Sequence, residues 1–429
     1  MIFREEAERM TVPVELDAVD LSDNDFWTKP LEYRHAVFNA LRAQPGLPHF
    51  ASPEFGSAPR GRGYYALTRM DDVLAVSRNP STFISGKGNV AMEVPAEFLD
   101  QSLITMDNPR HARLRRIVSR GFTTKAVTAL MDNASQMAKQ IVDEVVEQGE
   151  CDAVVDISAK LPLGIICNMM GIPDSQQQFV FEQTNVMLGV QDPEYVGEQN
   201  DAMLAMSVAS QELADLMHEL ATLRAKNPTD DLISKLLSAE VNGEALTPSE
   251  LAHFFILLTG AGTETTRNAI SWGIQLLTQS PEQREAWLSD IDGVTPTAVE
   301  EIVRWSSPVI SQRRTVAEDA EPVKLAGQLL GPGDKVLMFY GAANRDPNYF
   351  AHPEGFDVRR SPNPHVGYGG PGPHFCLGAH LARLEISVMF RELLTRIPDI
   401  HATGEPARLK SPLINGIKRL PVAFTPGAR

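Results

Sequence analysis

The sequence predicts a large, mainly helical protein with a small β component, and three observations support this. The chain has 429 residues, enough to bury a sizeable core. Helical patterns dominate from about residue 107 to residue 288, whereas strand-like patterns are short and lie near 64–68, 323–325 and 335–339. No repeat or low-complexity linker divides the chain. We therefore predict a single domain over residues 1–429.

The first hundred residues mix short elements. A β-rich run at 64–68 predicts a strand, and 70–78 predicts a helix after it. Apolar residues at 86–103 are scattered without a period, which is typical of a long loop. Further on, 241–244 carries an Asn-Gly pair and predicts a small hairpin turn.

The clearest helix begins at Thr247. Thr247 and Glu250 form a capping-box pattern, with Pro248 at the first helical position. The pattern runs without a breaker for about 32 residues, or roughly 48 Å, so this helix should cross the middle of the fold. Gly260 and Gly262 lie at its centre and cost about 1 kcal/mol each relative to Ala. We expect either a close approach to the backbone there or a bulge.

Three further elements complete the chain. A short helix is predicted at 297–305 and a coil rich in Pro, Gly and Asn at 344–373. A final amphipathic helix is predicted from about residue 377 to residue 395.

Charge and cysteine usage exclude several classes of protein. The net charge of -16 argues against nucleic acid as a general partner, because phosphate binding needs a basic surface. Cys151, Cys167 and Cys376 contain no Cys-x-x-Cys pair, which argues against a disulfide framework, and we interpret the first two as ordinary thiols. The sequence predicts no membrane span and no secretory signal, so we expect a cytoplasmic protein. We also expect it to be a monomer.

A glycine-rich loop around Cys376 carries the strongest chemical signal. Residues 369–378 read GGPGPHFCLG. The glycines allow a tight loop whose backbone can lie against a flat ligand, and a Cys just before a helix is placed where N–H groups favour a thiolate. Two alternatives stay open here. One is a phosphate-binding loop, although the usual Lys-Ser/Thr is missing, and the other is a metal site of His374, Cys376 and His380.

The loop and the following residues 379–385 resemble the haem-binding loop of the cytochrome P450 family. The resemblance implies haem b, whose iron takes the Cys376 sulfur as its axial thiolate, with Gly378 beside it. It also implies the cytochrome P450 fold, in which haem lies between a long central helix and the Cys loop. One position departs from the family pattern: its usual Phe is Gly369 here, and Tyr368 precedes it. The departure concerns packing under the haem.

Two more segments extend the resemblance. The order of Glu301, Arg304 and Arg360 is similar to the family's structural Glu-Arg-Arg triad, with Arg359 as the alternative second arginine. Residues 261–266 resemble the oxygen-activating part of the central helix. Small residues such as Ala261 and Gly262 leave room for dioxygen. The resemblance implies that the Thr265 hydroxyl and the Glu264 carboxyl deliver protons.

The segment 111–120 is basic in an otherwise acidic chain. His111 and Arg115 share a helix face at i and i+4, and the resemblance assigns them to the haem propionates, together with Arg314 and His374. A second set falls on another face, and we predict that it docks an acidic electron-transfer protein; this set is Arg113, Arg116 and Arg120.

The resemblance implies a monooxygenase that inserts one atom of O2 into a C–H bond of an apolar small molecule. Electrons would come from a ferredoxin-type donor and its NAD(P)H-dependent reductase, since the haem domain uses the whole chain. The segments 254–258, 266–270, 304–309 and 416–422 look like the bacterial subgroup that hydroxylates methyl-branched lipids and sterol side chains at a chain end. The residues predicted to line the substrate pocket are Val94, Phe98, Phe254, Leu257, Leu258, Val309, Ile310, Leu413 and Ile414.

A haem protein that senses or carries a gas is the alternative of another class. It would lack the proton-delivering pair, and both Glu264 and Thr265 are present.

Overall fold

A long central helix organises the fold, as the sequence predicts. The computed structural model describes residues 14–53, 61–93, 99, 101–197, 202–241 and 243–428. In it, one helix runs over Pro248–Gln279, 32 residues. The Thr247 hydroxyl accepts a hydrogen bond from the Glu250 N–H at 3.1 Å, and the Glu250 carboxylate accepts one from the Thr247 N–H at 3.1 Å. These two bonds form the predicted capping box and fix where the helix starts.

The other helices surround it. In chain order the α-helices of the described residues are α1 Leu31–Ala43, α2 Met70–Ser77, α3 Arg110–Val118, α4 Thr124–Thr128, α5 Met131–Val145, α6 Lys160–Met170, α7 Asp174–Leu188, α8 Pro193–Val196, α9 Ala202–Lys226, α10 Leu232–Leu237, α11 Pro248–Gln279, α12 Pro281–Leu288, α13 Ile291–Ser306, α14 Tyr340–Ala343 and α15 Ala379–Arg396. A π-helix, Ala153–Ser158, leads into α6, and 3₁₀ turns occupy Leu16–Ala18, Asn24–Thr28, Leu103–Thr105 and Ser119–Phe122.

The strands of the described residues are short, and the longest has six residues. They are β1 His49–Phe50, β2 Tyr64–Leu67, β3 Phe83–Ile84, β4 Glu150–Asp152, β5 Glu240–Val241, β6 Glu244–Ala245, β7 Ser311–Val316, β8 Val323–Leu325, β9 Gln328–Leu330, β10 Lys335–Phe339, β11 His401–Ala402, β12 Ala407–Arg408, β13 Ile417–Arg419 and β14 Pro421–Ala423. The mainly helical class is confirmed.

One mixed sheet positions residues for the site. Its strand order is β1-β2-β10-β7-β3, with β10 parallel to β2 and antiparallel to β7. Leu337 of β10 pairs with Arg313, and Val336 pairs with Arg314. Because neighbouring residues of a strand point to opposite faces, the side chains of Arg313 and Arg314 lie on opposite faces of the sheet.

The helix predicted at 297–305 begins earlier than expected, at Ile291. Pro296 lies inside it, and a proline normally marks a helix start or break. Here the Asp290 side chain caps the new start by accepting from the Gly293 N–H at 3.0 Å. Only one intrahelical bond is lost at the proline, and burial of the helix outweighs that loss.

The most apolar helical stretch is part of the core. Among the described residues, Ala153–Met170 is long and apolar enough to cross a membrane, and 67% of it is buried inside the fold. Cys167 lies within it, and burial raises the pKa of its thiol to about 12. Burial likewise raises the pKa of Cys151 to about 12. Both thiols therefore stay protonated near neutral pH.

Candidate active site

A central cavity lies between the middle of α11 and the loop that precedes α15. It encloses about 1370 Å³ of empty space, part of it open to solvent. Cys376 lines it from the loop, and Ala261 and Thr265 line it from the central helix. Most of the remaining wall is apolar; it includes Leu103, Ile104, Phe122, Ile166, Phe254, Leu257, Leu258, Ala269, Val309 and Leu381.

Cys376 is held by its own loop with its sulfur towards this cavity. Its N–H donates to the Tyr368 carbonyl at 2.9 Å, and the Gly378 N–H donates to its sulfur. Burial raises the pKa of the thiol, while the Gly378 N–H and the charges of Arg115 and Arg383 act in the opposite direction. The side chain is accessible although it lies deep in the molecule, because its exposed surface faces the cavity. Such a sulfur is suited to bind a metal ion as thiolate.

The loop geometry explains the departure at Gly369. That residue has φ +86°, in the left-handed region where a Phe would be strained. Tyr368 takes the position at the cavity wall instead, and the Arg383 guanidinium lies 4.3 Å from its ring centroid. Gly372 also has a positive φ, +151°, and a Cβ there would clash with the Ser77 carbonyl. The loop glycines thus serve both its turn and its packing against α2.

Three basic side chains, Arg115, Arg314 and His374, line one edge of the cavity, and His111 packs against His374 without lining it. The ring centroids of His111 and His374 lie 4.2 Å apart. Burial, followed by the charges of Arg314, His111 and Arg115, lowers the pKa of His374 to about 2. Burial and Arg115 also lower the pKa of His111.

No carboxylate forms an ion pair with this basic edge among the described residues. His111 Nε2 is buried without a hydrogen-bond partner there. The nearby Asp107 carboxylate is already bound by the N–H groups of Ser85 and Gly86, at 2.8 Å and 2.7 Å. His374 Nε2 is 3.0 Å from the Ser85 hydroxyl. The edge is therefore suited to receive carboxylates from a bound molecule.

The central helix presents small residues to the cavity. Ala261 is exposed although it lies mid-helix, because it faces the cavity. Thr265 also lines the cavity, and its hydroxyl donates to the Ala261 carbonyl at 2.8 Å. The close approach expected at the two glycines is a helix contact. A Cβ on Gly262 would lie 2.7 Å from Ile166 Cδ1 of α6, whereas Gly260 leaves ordinary space at 3.5 Å from Leu188.

Glu264 does not reach the cavity wall. Its carboxylate is buried and forms an ion pair with Arg267. Asn268 Nδ2 donates to the same carboxylate at 2.9 Å. Arg267 is held in turn by Asn185 Oδ1 at 2.8 Å. The structure thus brings Thr265, but not its predicted partner Glu264, to the site.

Sequence reasoning missed a second acid in the wall. Glu385 of α15 lines the cavity, and burial raises the pKa of its carboxyl to about 8. It shares a hydrogen bond with Thr266, and its Oε1 has no partner among the described residues. The available signal was a Glu between Leu384 and Ile386 on the buried face of a helix. Gln312 was missed too, and its Oε1 is also buried without a partner.

The structure joins Glu301 to both arginines predicted for the triad. Arg304 Nε and Nη2 lie 2.7 Å and 2.8 Å from the Glu301 carboxylate, and Glu301 and Arg304 are both fully buried. Arg360 Nε lies 3.1 Å and 3.0 Å from the two carboxylate oxygens. Arg359 instead donates to the Ala286 carbonyl at 3.0 Å. Arg360 is therefore the second arginine that touches Glu301.

The basic set predicted to dock a redox partner is divided by the structure. Arg116 and Arg120 are exposed. Arg113 is not available in the same way, because it lies 3.1 Å from Glu250 and 3.4 Å from Glu244. The helix turns it towards two carboxylates that compensate its charge, so its part in docking stays a prediction.

The predicted substrate-lining residues also divide. Phe254, Leu257, Leu258 and Val309 line the cavity, and Val94 and Phe98 lie outside the described residues. The remaining three do not line it and are corrections: Ile310, Leu413 and Ile414.

Extended backbone explains the correction for Ile310. Val309 and Ile414 are partners in an isolated antiparallel bridge, and the Ile310 N–H donates to the Leu413 carbonyl at 2.8 Å. Successive side chains of an extended segment point to opposite sides, so Val309 enters the cavity while Ile310 points away from it.

These observations fit a haem. A thiol that can ionise faces the cavity from one side, small residues of α11 face it from the other, and an unsatisfied basic edge is suited to the propionates. By contrast, no group of three His, Cys, Asp or Glu side chains in the described ranges is placed to hold a metal ion. The alternative site of His374, Cys376 and His380 is therefore not assembled.

Comparisons with known proteins agree with this arrangement. The family model described as Cytochrome P450 matches residues 52–398. A methyl-branched lipid omega-hydroxylase of Mycobacterium tuberculosis is 44% identical over 417 residues, covering 96% of each chain. A steroid C26-monooxygenase of Rhodococcus jostii is 37% identical over 95% of this chain and 85% of its own. A solved Mycobacterium marinum cytochrome P450 in complex with pseudoionone superposes with a TM-score of 0.90 at 39% identity, covering 97% of this chain and 100% of its own.

Proposed function

The chain belongs to the cytochrome P450 family of haem-thiolate monooxygenases, and from that premise we propose that it hydroxylates the chain end of an extended apolar lipid, either a methyl-branched lipid or a sterol side chain. One observation carries this proposal. The wall above Cys376 is almost entirely apolar, and the small Ala261 leaves open the path to the predicted haem. An apolar wall of this kind favours the aliphatic end of a lipid over a polar group.

The relatives support the substrate class. One is named as a hydroxylase of the omega position of methyl-branched lipids and the other as a monooxygenase of C26 of steroids. Both names describe attack on a terminal carbon of a branched aliphatic chain. The two substrates share that end and differ in the rest of the molecule.

In this proposal Cys376 binds the iron, and the basic edge of His111, Arg115, Arg314 and His374 holds the propionates. When bound, the haem supplies the oxidising power that uses O2 and two electrons to insert one oxygen atom into a C–H bond. Ala261 and Gly262 keep room for dioxygen. The apolar wall excludes water and orients the chain end towards the iron.

Proton delivery is assigned to Thr265, with two buried acids behind it. The Thr265 hydroxyl is bonded to the Ala261 carbonyl and can turn to donate into the cavity. For Glu264 to pass a proton to Thr265, its carboxylate has to separate from Arg267. Glu385 holds its proton near neutral pH because burial raises its pKa to about 8, and it lines the wall beside Thr266, with which it shares a hydrogen bond. We assign Glu385 as a second proton reservoir.

Electrons come from a separate protein in this proposal. The exposed Arg116 and Arg120 lie on the helix and turn that also carry Arg115, whose guanidinium donates to the Phe375 carbonyl at 2.5 Å beside Cys376. An acidic ferredoxin-type protein, reduced by an NAD(P)H-dependent reductase in the cytoplasm, fits this small basic face on a chain of net charge -16.

Substrate binding and product analysis together test the proposal. Branched fatty acids, their unbranched counterparts and sterols are added to the ferric protein, and displacement of iron-bound water is read from the spin-state change in the absorption spectrum. Products formed with a surrogate ferredoxin system are then located by mass spectrometry. We expect a spin shift and terminal alcohols with the branched or sterol ligands. Hydroxylation only at internal carbons, or binding only of small ring compounds, would contradict the proposal.

A further inference from the structure

A second recess lies behind the wall of the central cavity. It holds about 500 Å³ of empty space, part of it open to solvent, between α1 and the segment that follows α13. It shares no lining residue with the central cavity. The residues that matter here are Arg34, Phe38, Trp305, Ile310, Phe339 and Asn415. We call it the Arg34 recess.

Arg34 is a buried cation without a carboxylate partner among the described residues. Its exposed fraction is 6%. One of its N–H groups donates to the Trp27 carbonyl at 3.2 Å, and its guanidinium lies 5.1 Å from the Trp27 ring centroid. Its Nε is buried with no hydrogen-bond partner in the described residues. The charges that act on it most, those of Arg408 and Arg345, are both positive and lower its pKa after burial does.

Glu354, the carboxylate paired with Arg345, is already hydrogen-bonded, and the charge of Glu32 acts on Arg408. Glu354 accepts from Arg345 Nε at 3.1 Å and from Asn39 Nδ2 at 3.1 Å, and it pairs with His35 at 3.1 Å. Arg345 is itself saturated, since its other groups donate to the carbonyls of Gly341 and Trp305 at 3.2 Å and 2.9 Å. Arg345 therefore needs no further acceptor, whereas Arg34 Nε has none among the described residues.

Three other buried polar atoms around Arg34 also lack partners in the described chain. They are Trp27 Nε1, Arg408 Nε and Asn415 Oδ1. Asn415 Nδ2 donates to the Ser306 carbonyl at 2.6 Å, which fixes its oxygen as the free end. Of these three residues, only Asn415 lines the recess together with Arg34, so its free oxygen and Arg34 Nε are the unpartnered atoms of the recess itself. Because a buried polar group without a partner is destabilising, this pair favours a bound ligand.

We propose that the Arg34 recess binds a small oxyanion that keeps a hydroxyl, of the type of dihydrogen phosphate or bicarbonate. The oxyanion accepts a hydrogen bond from Arg34 Nε, and its negative charge offsets the positive charge of Arg34 and that of Arg408, which acts on Arg34. Its hydroxyl donates to Asn415 Oδ1. A halide satisfies the arginines but not Asn415, and a neutral polar molecule leaves the charges uncompensated. The recess backs onto Ile310, whose neighbour Val309 lines the central cavity, so the anion supports the wall of the proposed substrate site.

Crystals and thermal unfolding test this site without any assay of catalysis. Crystals of the haem-loaded protein are soaked in arsenate, which retains a hydroxyl near neutral pH and scatters anomalously. We expect an arsenic peak within contact of the Arg34 guanidinium. In solution, phosphate should raise the unfolding midpoint at constant ionic strength, with a folded-to-unfolded ratio about 100-fold higher at 100 times the dissociation constant.

Variants separate this site from a general salt effect. Arg34→Gln should abolish the phosphate-dependent rise, whereas Arg391→Gln, an equal charge change at an exposed side chain, should retain it. Arg408→Gln should weaken the rise and serves if Arg34→Gln does not fold. A recess that holds only water, or an equal rise with chloride in place of phosphate, would overturn the proposal.

Discussion

At the scale of single residues, the site depends on where each polar group of the central helix points. Thr265 faces the cavity, while Thr263 is buried and its hydroxyl donates to the Thr259 carbonyl at 2.6 Å. The two residues are alike in chemistry and differ in access. They therefore form a matched pair for testing proton delivery.

Replacing Thr265 by Ala should lower product formed per NAD(P)H consumed, because the hydroxyl that passes protons into the cavity is removed. The expected fall is roughly tenfold to a hundredfold, at the lower end of general acid catalysis. Substrate-induced spin shifts should stay unchanged. Thr263→Ala is the control and should leave the ratio of product to electrons near that of the parent. Equal losses in both variants would refute a specific role for Thr265.

Glu385 gives a prediction about stability and pH. Its folded pKa of about 8 is raised above the ordinary value of 4.5, so the folded state keeps a proton that the unfolded state loses. This contribution is fully present below about pH 4.5. It is lost by about 1.4 kcal/mol per pH unit as pH rises towards 8.

The Glu385→Gln variant should therefore gain stability relative to the parent as pH rises from 5 to 8, because it cannot ionise. Denaturant midpoints of both proteins across this range measure the difference. A difference that does not change with pH would show that Glu385 has an ordinary pKa.

At the scale of elements, the central helix was the part of the fold that the sequence predicted best. A capping box and a long uninterrupted pattern define α11, because both signals are local. The start of α13 was missed by contrast, since Pro296 is accommodated inside it by tertiary packing. Ile310 was assigned to the wrong cavity because only the bridge of Val309 with Ile414 fixes which side chain points inward.

The two glycines at the centre of α11 should respond oppositely to Ala. Gly260→Ala has space for its Cβ and should stabilise the protein by up to about 1 kcal/mol through helix propensity. Gly262→Ala forces Ile166 to move and should instead destabilise, with about 1–3 kcal/mol expected for the larger Gly262→Val. Chemical denaturation of the haem-loaded proteins checks both signs. A gain in stability for Gly262→Ala would contradict the close contact with α6.

At the scale of the whole molecule, the resemblance to the cytochrome P450 family predicted much of the site. It assigned Cys376 to the iron, the basic edge to the haem propionates, and Glu301 with its arginines to the structural triad. It did not reveal Glu385, Gln312 or the Arg34 recess, since their character comes from burial by distant segments. Nor did it show that Glu244 and Glu250 neutralise Arg113, a contact between separate elements.

Charge distribution over the whole chain predicts how electrons are received. Reversing Arg116 and Arg120 to Glu should raise the KM for an acidic ferredoxin by about tenfold at low salt, because an attractive face becomes repulsive. The effect should shrink as ionic strength rises. Arg391→Glu provides a control at an exposed arginine elsewhere. Unchanged reduction kinetics for the double variant would place the docking face somewhere else.

The central claim is that Cys376 binds haem iron through its sulfur, and one spectrum tests it most directly. The purified haem protein is reduced under carbon monoxide and its absorption recorded, with Cys376→His as the comparison. We predict the red-shifted Soret band of a thiolate-bound carbonyl complex in the parent and its loss in the variant. A parent spectrum without that shifted band, in protein that has retained its haem and its fold, would contradict the account.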